Sequence, residues 1–186
     1  MARLLIVEDD VSLRENLVRM LQLKGHECLC CESFENAAAE ALTASPDCVL
    51  LDLSLPGAYG HEICRSIRQE SNVPIIVLTS SDSEFDEVMS MSVGADDYVV
   101  KPYRPAVLLA RIDRALARNE LLILRVLMEN AGSIISRSEL MDELWQTDAF
   151  VDDNTLTVNM NRLRRKLEEI GVQGFLVTRR GKGYGI

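Results

Sequence analysis

The chain has 186 residues, 47% of them hydrophobic, and a formal net charge of −9. That length allows one or two domains, and the apolar share is ample for packed cores. No uncharged apolar run of about 18 residues occurs, so no transmembrane helix and no membrane partner is expected, and Glu8 and Asp9 come too early for a secretory signal, which makes a cytoplasmic location the expectation.

In chain order, Leu4–Val7 is a strand-like run that ends in Glu8-Asp9-Asp10. Ser12–Lys24 carries apolar residues at 13, 17, 18 and 21, a helical stripe that Gly25 closes. Cys28–Cys31 reads as a second strand and Glu32–Thr43 as a second helix. Cys48–Leu51 runs into Asp52, and 57–68 supplies a loop and a third helix. Ile75–Leu78 runs into Thr79, Glu84–Ser92 is a fourth helix closed by Gly94, and Tyr98–Val100 runs into Lys101-Pro102. Pro105–Arg118 is a fifth helix, with proline near the first turn, where it is tolerated.

Short β-rich runs separated by helix-length segments imply parallel strands joined by crossovers. In such sheets the carboxyl ends of the strands line one edge, where ligands bind. Glu8, Asp9, Asp52, Thr79 and Lys101 should therefore converge on one cleft. Clustered carboxylates repel unless a cation sits among them, and hard oxygen ligands suit Mg²⁺ (or Mn²⁺). An aspartate, a metal, a lysine and a threonine together form a site for phosphoryl transfer to a carboxylate.

The constellation resembles the receiver domain of two-component response regulators: Glu8-Asp9, Asp52 within Asp52-Leu53-Ser54-Leu55-Pro56-Gly57, Thr79 and Lys101-Pro102. The resemblance covers residues 1–118 and implies a flavodoxin-like, five-stranded parallel sheet with helices on both faces. It implies Asp52 as phosphoacceptor and a metal held by Asp9, Asp52 and the backbone carbonyl of Ser54, with Glu8 acting through water and Asp10 as the weaker third acid. It further implies that Thr79 and Lys101 contact the phosphoryl oxygens, and that Tyr98 is the switch aromatic, filling space that Thr79 vacates. The family's dimer face matches Val88, Met91, Asp96, Asp97, Leu109, Arg111 and Arg114, although Glu87 stands where a base is usual and Val107 where an acid is usual. Implied partners are a sensor histidine kinase and, after phosphorylation, a second copy.

Beyond Arg118-Asn119 the reading is three helices, Glu120–Glu129, Ser136–Leu144 and Asp153–Glu169, then a hairpin around Arg179-Arg180-Gly181-Lys182-Gly183. Ser136 with Glu139 forms a capping-box signature. Residues 1–118 hold 11 Lys/Arg and 19 Asp/Glu, whereas residues 119–186 hold 9 and 10, so the second part can present a basic face within an acidic chain. This part, 119–186, resembles the winged helix-turn-helix effector domain of the OmpR/PhoB family: Val151–Leu167 matches the recognition helix and Val177–Tyr184 the wing. Thr155, Thr157, Asn159 and Asn161, with Arg162, Arg164 and Arg165, are then candidates to read promoter DNA, and Arg180 and Lys182 to reach it from the wing. Residues 145–152 resemble the loop that meets RNA polymerase, and Phe150–Leu156 is most similar to regulators of bacitracin and antimicrobial-peptide resistance. One departure is large. The usual linker and four-stranded antiparallel sheet before the first effector helix are missing between Arg118 and Asn119, about 30 residues in family terms, and exposed apolar surface should follow.

The five cysteines, Cys28, Cys30, Cys31, Cys48 and Cys64, are odd in number and lack paired C-x-x-C spacing. They read as small residues in a reducing compartment rather than a disulfide or zinc framework. The expected function is a phosphorylation-activated transcriptional regulator, not an enzyme. An aspartyl-phosphate phosphatase needs a second carboxylate in Asp52-Leu53-Ser54, which is absent. The alternative is a receiver protein whose shortened effector half acts through protein contacts.

Overall fold

The computed structural model describes residues 1–81, 83–146 and 153–186, without the side chains at 84, 85, 145, 146 and 153–155. The chain forms two compact units, Met1–Leu116 and Ala117–Ile186.

In the first unit, β1 (Arg3–Val7), β2 (Glu27–Cys30), β3 (Cys48–Asp52), β4 (Ile75–Thr79) and β5 (Asp97–Val100) pair in parallel, in the order β2-β1-β3-β4-β5. Between them lie α1 (Val11–Leu23), α2 (Ala37–Ala44), α3 (Gly60–Glu70) and α4 (Glu84–Ser92), and α5 (Pro105–Glu129) follows β5. The central strands are apolar on both faces, as a sheet covered on both sides requires. Leu5, Val7, Val49, Leu51, Ile75 and Val77 face Ala37, Ala41, Ile63 and Ile67 of α2 and α3. Their alternating neighbours Leu4, Ile6, Leu50, Ile76 and Leu78 face Leu17, Leu21, Leu108 and Ile112 of α1 and α5. Two sequence-based bounds move. The second strand ends at Cys30 rather than Cys31, and the second helix opens with a 3₁₀ turn, Phe34–Asn36, before α2.

The larger correction concerns the fifth helix. It does not end at Arg118 but continues without a break to Glu129, so the two helices expected on either side of Arg118-Asn119 are one helix. The physical reason is local: Ala115–Leu124 contains neither glycine nor proline, and Asn119 is the one poor helix former in a run of strong ones.

In the second unit α5 packs with α6 (Arg137–Gln146) and α7 (Asp153–Glu169) around Ile123, Val126, Leu127, Leu140, Leu144, Leu156, Met160 and Leu163. The capping box forms at α6, where the Ser136 amide donates to Glu139 Oε2 at 2.9 Å and the Glu139 amide donates to Ser136 Oγ at 3.1 Å. β6 (Val177–Arg179) and β7 (Gly183–Gly185) form the expected antiparallel hairpin, and Tyr184 also bridges to Ile135. Gly183 has φ +146°, and a Cβ there would sit 1.8 Å from the Ile135 carbonyl oxygen, so only glycine lets the hairpin close against that segment. Among the described residues no four-stranded antiparallel sheet is present, and no helix is long and apolar enough to cross a membrane.

Candidate functional site

At the carboxyl edge of the parallel sheet, β1 delivers Glu8 and β3 ends in Asp52, both almost fully buried. The ammonium of Lys101, one residue past β5, donates to Glu8 Oε2 and to Asp52 Oδ2, both at 2.7 Å. The other Asp52 oxygen accepts the Ser54 amide at 2.9 Å. Gly60 makes this turn possible, since a Cβ at that position would lie 2.5 Å from Leu53 Cα and 2.7 Å from the Asp52 carbonyl oxygen. Asp9 is exposed, and single carboxylate oxygens of Glu8, Asp9 and Asp52 all lie within 4.8 Å of one another. Asp10 is spent elsewhere, because its Oδ1 accepts the Leu13 amide at 2.9 Å and caps α1.

The electrostatics follow from burial. Desolvation raises the Glu8 carboxyl above the ordinary range, and Lys101 pulls it back only in part. For Lys101 burial opposes the charge, but the hydrogen bonds to Asp52 and Glu8 outweigh it and hold the ammonium protonated. One cation thus balances two buried carboxylates with a third beside them. That surplus of hard oxygen donors suits a small divalent cation. Thr79, at the end of β4, is 1% exposed and accepts the Ser81 amide at 3.1 Å. Tyr98 is buried, and its hydroxyl donates to the Ser81 carbonyl at 2.7 Å, so both residues engage the same short segment.

In the second unit the exposed side of α7 carries Thr157, Asn161 and Arg165, with Arg164 half-buried. Arg164 donates to Asn161 Oδ1 at 3.1 Å and to Thr178 Oγ1 of the hairpin at 2.7 Å. Arg179, Arg180 and Lys182 are exposed on the hairpin. Two sequence-based candidates are corrected. Asn159 (1% exposed) and Arg162 (7%) are buried: Asn159 falls beside the inward Leu156 and Leu163 of α7, and Arg162 donates to Asn159 Oδ1 at 3.4 Å. The Thr155 side chain and residues 147–152 of the polymerase-loop reading lie outside the described residues. Sequence reasoning missed Arg137. Its guanidinium donates to the Tyr184 hydroxyl, stacks 5.6 Å from that ring's centroid, and donates to Thr157 Oγ1 at 2.9 Å, tying hairpin to α7.

Residues 4–113 match the response regulator receiver domain, and residues 113–186 match the transcriptional regulatory protein C-terminal family. The chain belongs to the OmpR/PhoB family of response regulators. It is a transcriptional response regulator of a two-component system. The sensory transduction protein BceR of Bacillus subtilis (strain 168) is 36% identical over 221 residues, covering 99% of this chain and 96% of that protein. The response regulator protein GraR of Staphylococcus epidermidis (strain ATCC 12228 / FDA PCI 1200) is 36% identical over 219 residues, covering 98% of each. Among solved structures, the BeF3-activated receiver domain of Klebsiella pneumoniae RstA superposes with a TM-score of 0.59 at 35% identity, covering 61% of this chain and 97% of that one. The N-terminal domain of the nisin resistance regulator NsrR gives a TM-score of 0.58 at 31% identity, over 62% of this chain and 98% of that one. The BceR alignment spans 221 positions against a 186-residue chain, so at least 35 positions of that relative have no counterpart here.

On the expected dimer face of this response regulator, Val88 and Met91 are exposed and Leu109 is half-buried against the core. Asp97 is bound within the chain by Arg111 and, at 2.9 Å, by Arg114. Asp96 does not join them: its Oδ2 accepts from Arg68 at 2.7 Å and from the Ile75 amide at 2.9 Å, which fastens α3 to the sheet. Exposed apolar surface does follow the shortened junction, with Leu121 64% and Met128 57% exposed on α5.

Proposed function

We propose that Asp52 is the phosphoacceptor. A carboxylate oxygen of Asp52 attacks the phosphorus of a phosphohistidine on the sensor kinase, the P–N bond breaks, and an acyl phosphate forms. The observation that supports this is the Lys101 ammonium at 2.7 Å from both Glu8 and Asp52, which neutralises the acceptor and stays to pair with a phosphoryl oxygen. Mg²⁺ (or Mn²⁺), held by Asp9, Asp52 and the Ser54 carbonyl with Glu8 through water, would supply further charge neutralisation. Thr79 gives up the Ser81 amide to hydrogen-bond the phosphoryl group, and Tyr98, sharing that segment, follows inward.

The phosphorylated receivers then pair through Val88, Met91 and Leu109, with Asp97, Arg111 and Arg114 exchanging their internal contacts for contacts across the dimer. Paired effector units bind promoter DNA. Thr157, Asn161, Arg164 and Arg165 of α7 meet the major groove, and Arg180 and Lys182 reach the minor groove. The OmpR/PhoB match over 113–186 and the shared side of α7 and hairpin favour this over an effector half that works through protein contacts alone. The nisin resistance regulator among the structural relatives, with the Phe150–Leu156 string, supports a role in antimicrobial-peptide resistance, and RNA polymerase is the expected further partner.

The test is intact mass after treatment with a small phosphodonor and Mg²⁺. Wild type gains one phosphoryl group and Asp52→Asn gains none; equal labelling of the variant would refute the assignment.

A further inference from the structure

Tyr103 stands two residues past Lys101, and its ring and its hydroxyl are treated differently by the fold. The ring packs against the core that Leu17, Leu21, Leu108 and Ile112 build. The phenolic oxygen is closed off from solvent and hydrogen-bonds nothing. A buried O–H without an acceptor is destabilising, and a phenylalanine would fill the same space without it. Burial first, and then the negative charges of Glu8 and Asp52, push the phenol up to about 12, so it keeps its proton and stays a donor at neutral pH.

The surroundings of Tyr103 narrow the choice of acceptor. With Asp10, Ser12, Asn16, Ser80 and Lys101 it lines an open cleft of about 470 Å³, where the start of α1 meets the loops after β4 and β5. Glu8 is bonded to two residues of that cleft: its Oε1 accepts the Asp10 amide at 3.3 Å and its Oε2 accepts from Lys101 at 2.7 Å. In the resting chain Lys101 serves Glu8 and Asp52 at once, so Glu8 needs nothing from Tyr103. Phosphorylation of Asp52 changes this. The phosphoryl group brings further negative charge to Asp52 and draws the ammonium toward its own oxygens. Glu8, only 1% exposed, is then left with a buried carboxylate oxygen short of a donor. The Tyr103 hydroxyl is an uncommitted donor beside it. A hydrogen bond made in one state and absent from the other shifts the equilibrium toward the state that has it.

We propose that Tyr103 is a positioning residue of the phosphoacceptor site: its hydroxyl takes over the Glu8 carboxylate when Lys101 turns to the phosphoryl group, and so favours the phosphorylated state. This rests on the reading of Asp52 as phosphoacceptor.

The test uses the full chain with beryllofluoride, which mimics a phosphoryl group on a carboxylate, at Mg²⁺ concentrations that saturate each variant. Tyr103→Phe removes the hydroxyl and keeps the ring. It should weaken beryllofluoride binding, read by ¹⁹F NMR, about tenfold, because a charge-assisted hydrogen bond is lost from the bound state alone. Without beryllofluoride the same variant should melt no lower than wild type. In chain labelled at the tyrosine Cζ carbon, the resonance missing from Tyr103→Phe should move when beryllofluoride is added. In a Glu8→Ala background the effect of Tyr103→Phe should shrink to about twofold or less, since the acceptor is gone. Equal beryllofluoride affinity of wild type and Tyr103→Phe overturns the inference and leaves the phosphoacceptor reading standing. A wild-type chain that neither binds beryllofluoride nor gains a phosphoryl group by mass overturns that reading instead. A Tyr103→Phe chain that melts lower without beryllofluoride shows the hydroxyl already paired at rest and overturns its role as a reserve donor. An undiminished effect in Glu8→Ala overturns Glu8 as the acceptor.

Discussion

Replacing Lys101 by methionine keeps most of the aliphatic stem and removes the cation. Lys101, Glu8 and Asp52 side chains are 13%, 1% and 4% exposed, so water replaces little of what the ammonium supplies. Breaking a buried ion pair by deleting one partner costs about 3–5 kcal/mol, and the opening on the Asp9 side places this case at the lower end, about 3 kcal/mol. Two buried carboxylates then repel each other without the ammonium between them. A divalent cation can supply that charge, and at a hundredfold over its Kd it returns about 2.7 kcal/mol. The pH dependence has a definite sign. Burial already raises the Glu8 carboxyl, and losing Lys101 raises it further. A carboxyl that binds its proton more tightly in the folded state stabilises the fold below its unfolded pKa of about 4.3 and loses that contribution as pH rises through the folded value. The deficit of Lys101→Met is therefore largest at neutral and alkaline pH and shrinks on acidification. Hydrogen exchange at the β1 and β3 amides, with EDTA and then with Mg²⁺, reads the opening free energy where the two carboxylates are anchored. A variant within about 1 kcal/mol of wild type in EDTA, or one that Mg²⁺ does not rescue, refutes the charge accounting.

Arg137→Ala should lower DNA affinity about tenfold or more, since charge-assisted hydrogen bonds to Thr157 and Tyr184 are worth roughly 1.5–3 kcal/mol. Arg137→Lys should not restore it, because an ammonium lacks the fork that reaches both; full rescue by lysine, measured by fluorescence anisotropy, would instead mark a simple phosphate contact. Among the thiols, burial lifts Cys28 to about 11, Cys31 to about 12 and Cys64 to about 11, while Cys30 is exposed. Maleimide at neutral pH should label Cys30 quickly, the half-buried Cys28 more slowly, and Cys31, Cys48 and Cys64 only on unfolding, by mass spectrometry; fast labelling of any of the last three contradicts the burial.

The receiver-like half was legible because its chemistry sits where strands end. A parallel sheet gathers its carboxyl ends on one edge, so Glu8, Asp52, Thr79 and Lys101 could be placed together from four short apolar runs. The α7 face was less so. The polar residues Thr157, Asn159, Asn161 and Arg162 look alike in composition, and the inward set Leu156, Met160 and Leu163 separates only Asn159 from the exposed Thr157 and Asn161. That periodicity was available in the sequence and outweighs polarity at Asn159, whereas the burial of Arg162 comes from tertiary packing that the helical spacing does not announce. Arg137 carried no such signal, since its partners lie 20 and 47 residues away and depend on how the hairpin folds back. The continuity of α5 was masked by the resemblance, which places two helices where the residues from Ala115 to Leu124 contain nothing to stop one. Asp96 and Asp97 are neighbours on the chain, yet they serve different partners, Arg68 and the Arg111–Arg114 pair, and spacing alone does not separate them.

Phosphorylation of Asp52 is expected to control DNA binding by the second unit. The most direct measurement is the affinity of the full chain for duplex DNA enriched from a randomised library, with and without a small phosphodonor and Mg²⁺, at two salt concentrations. Wild type should bind more tightly when phosphorylated, Asp52→Asn should not respond, and both affinities should fall steeply with salt as counterions are released. Equal affinity with and without the phosphodonor, or no DNA enriched even at low salt, would contradict it.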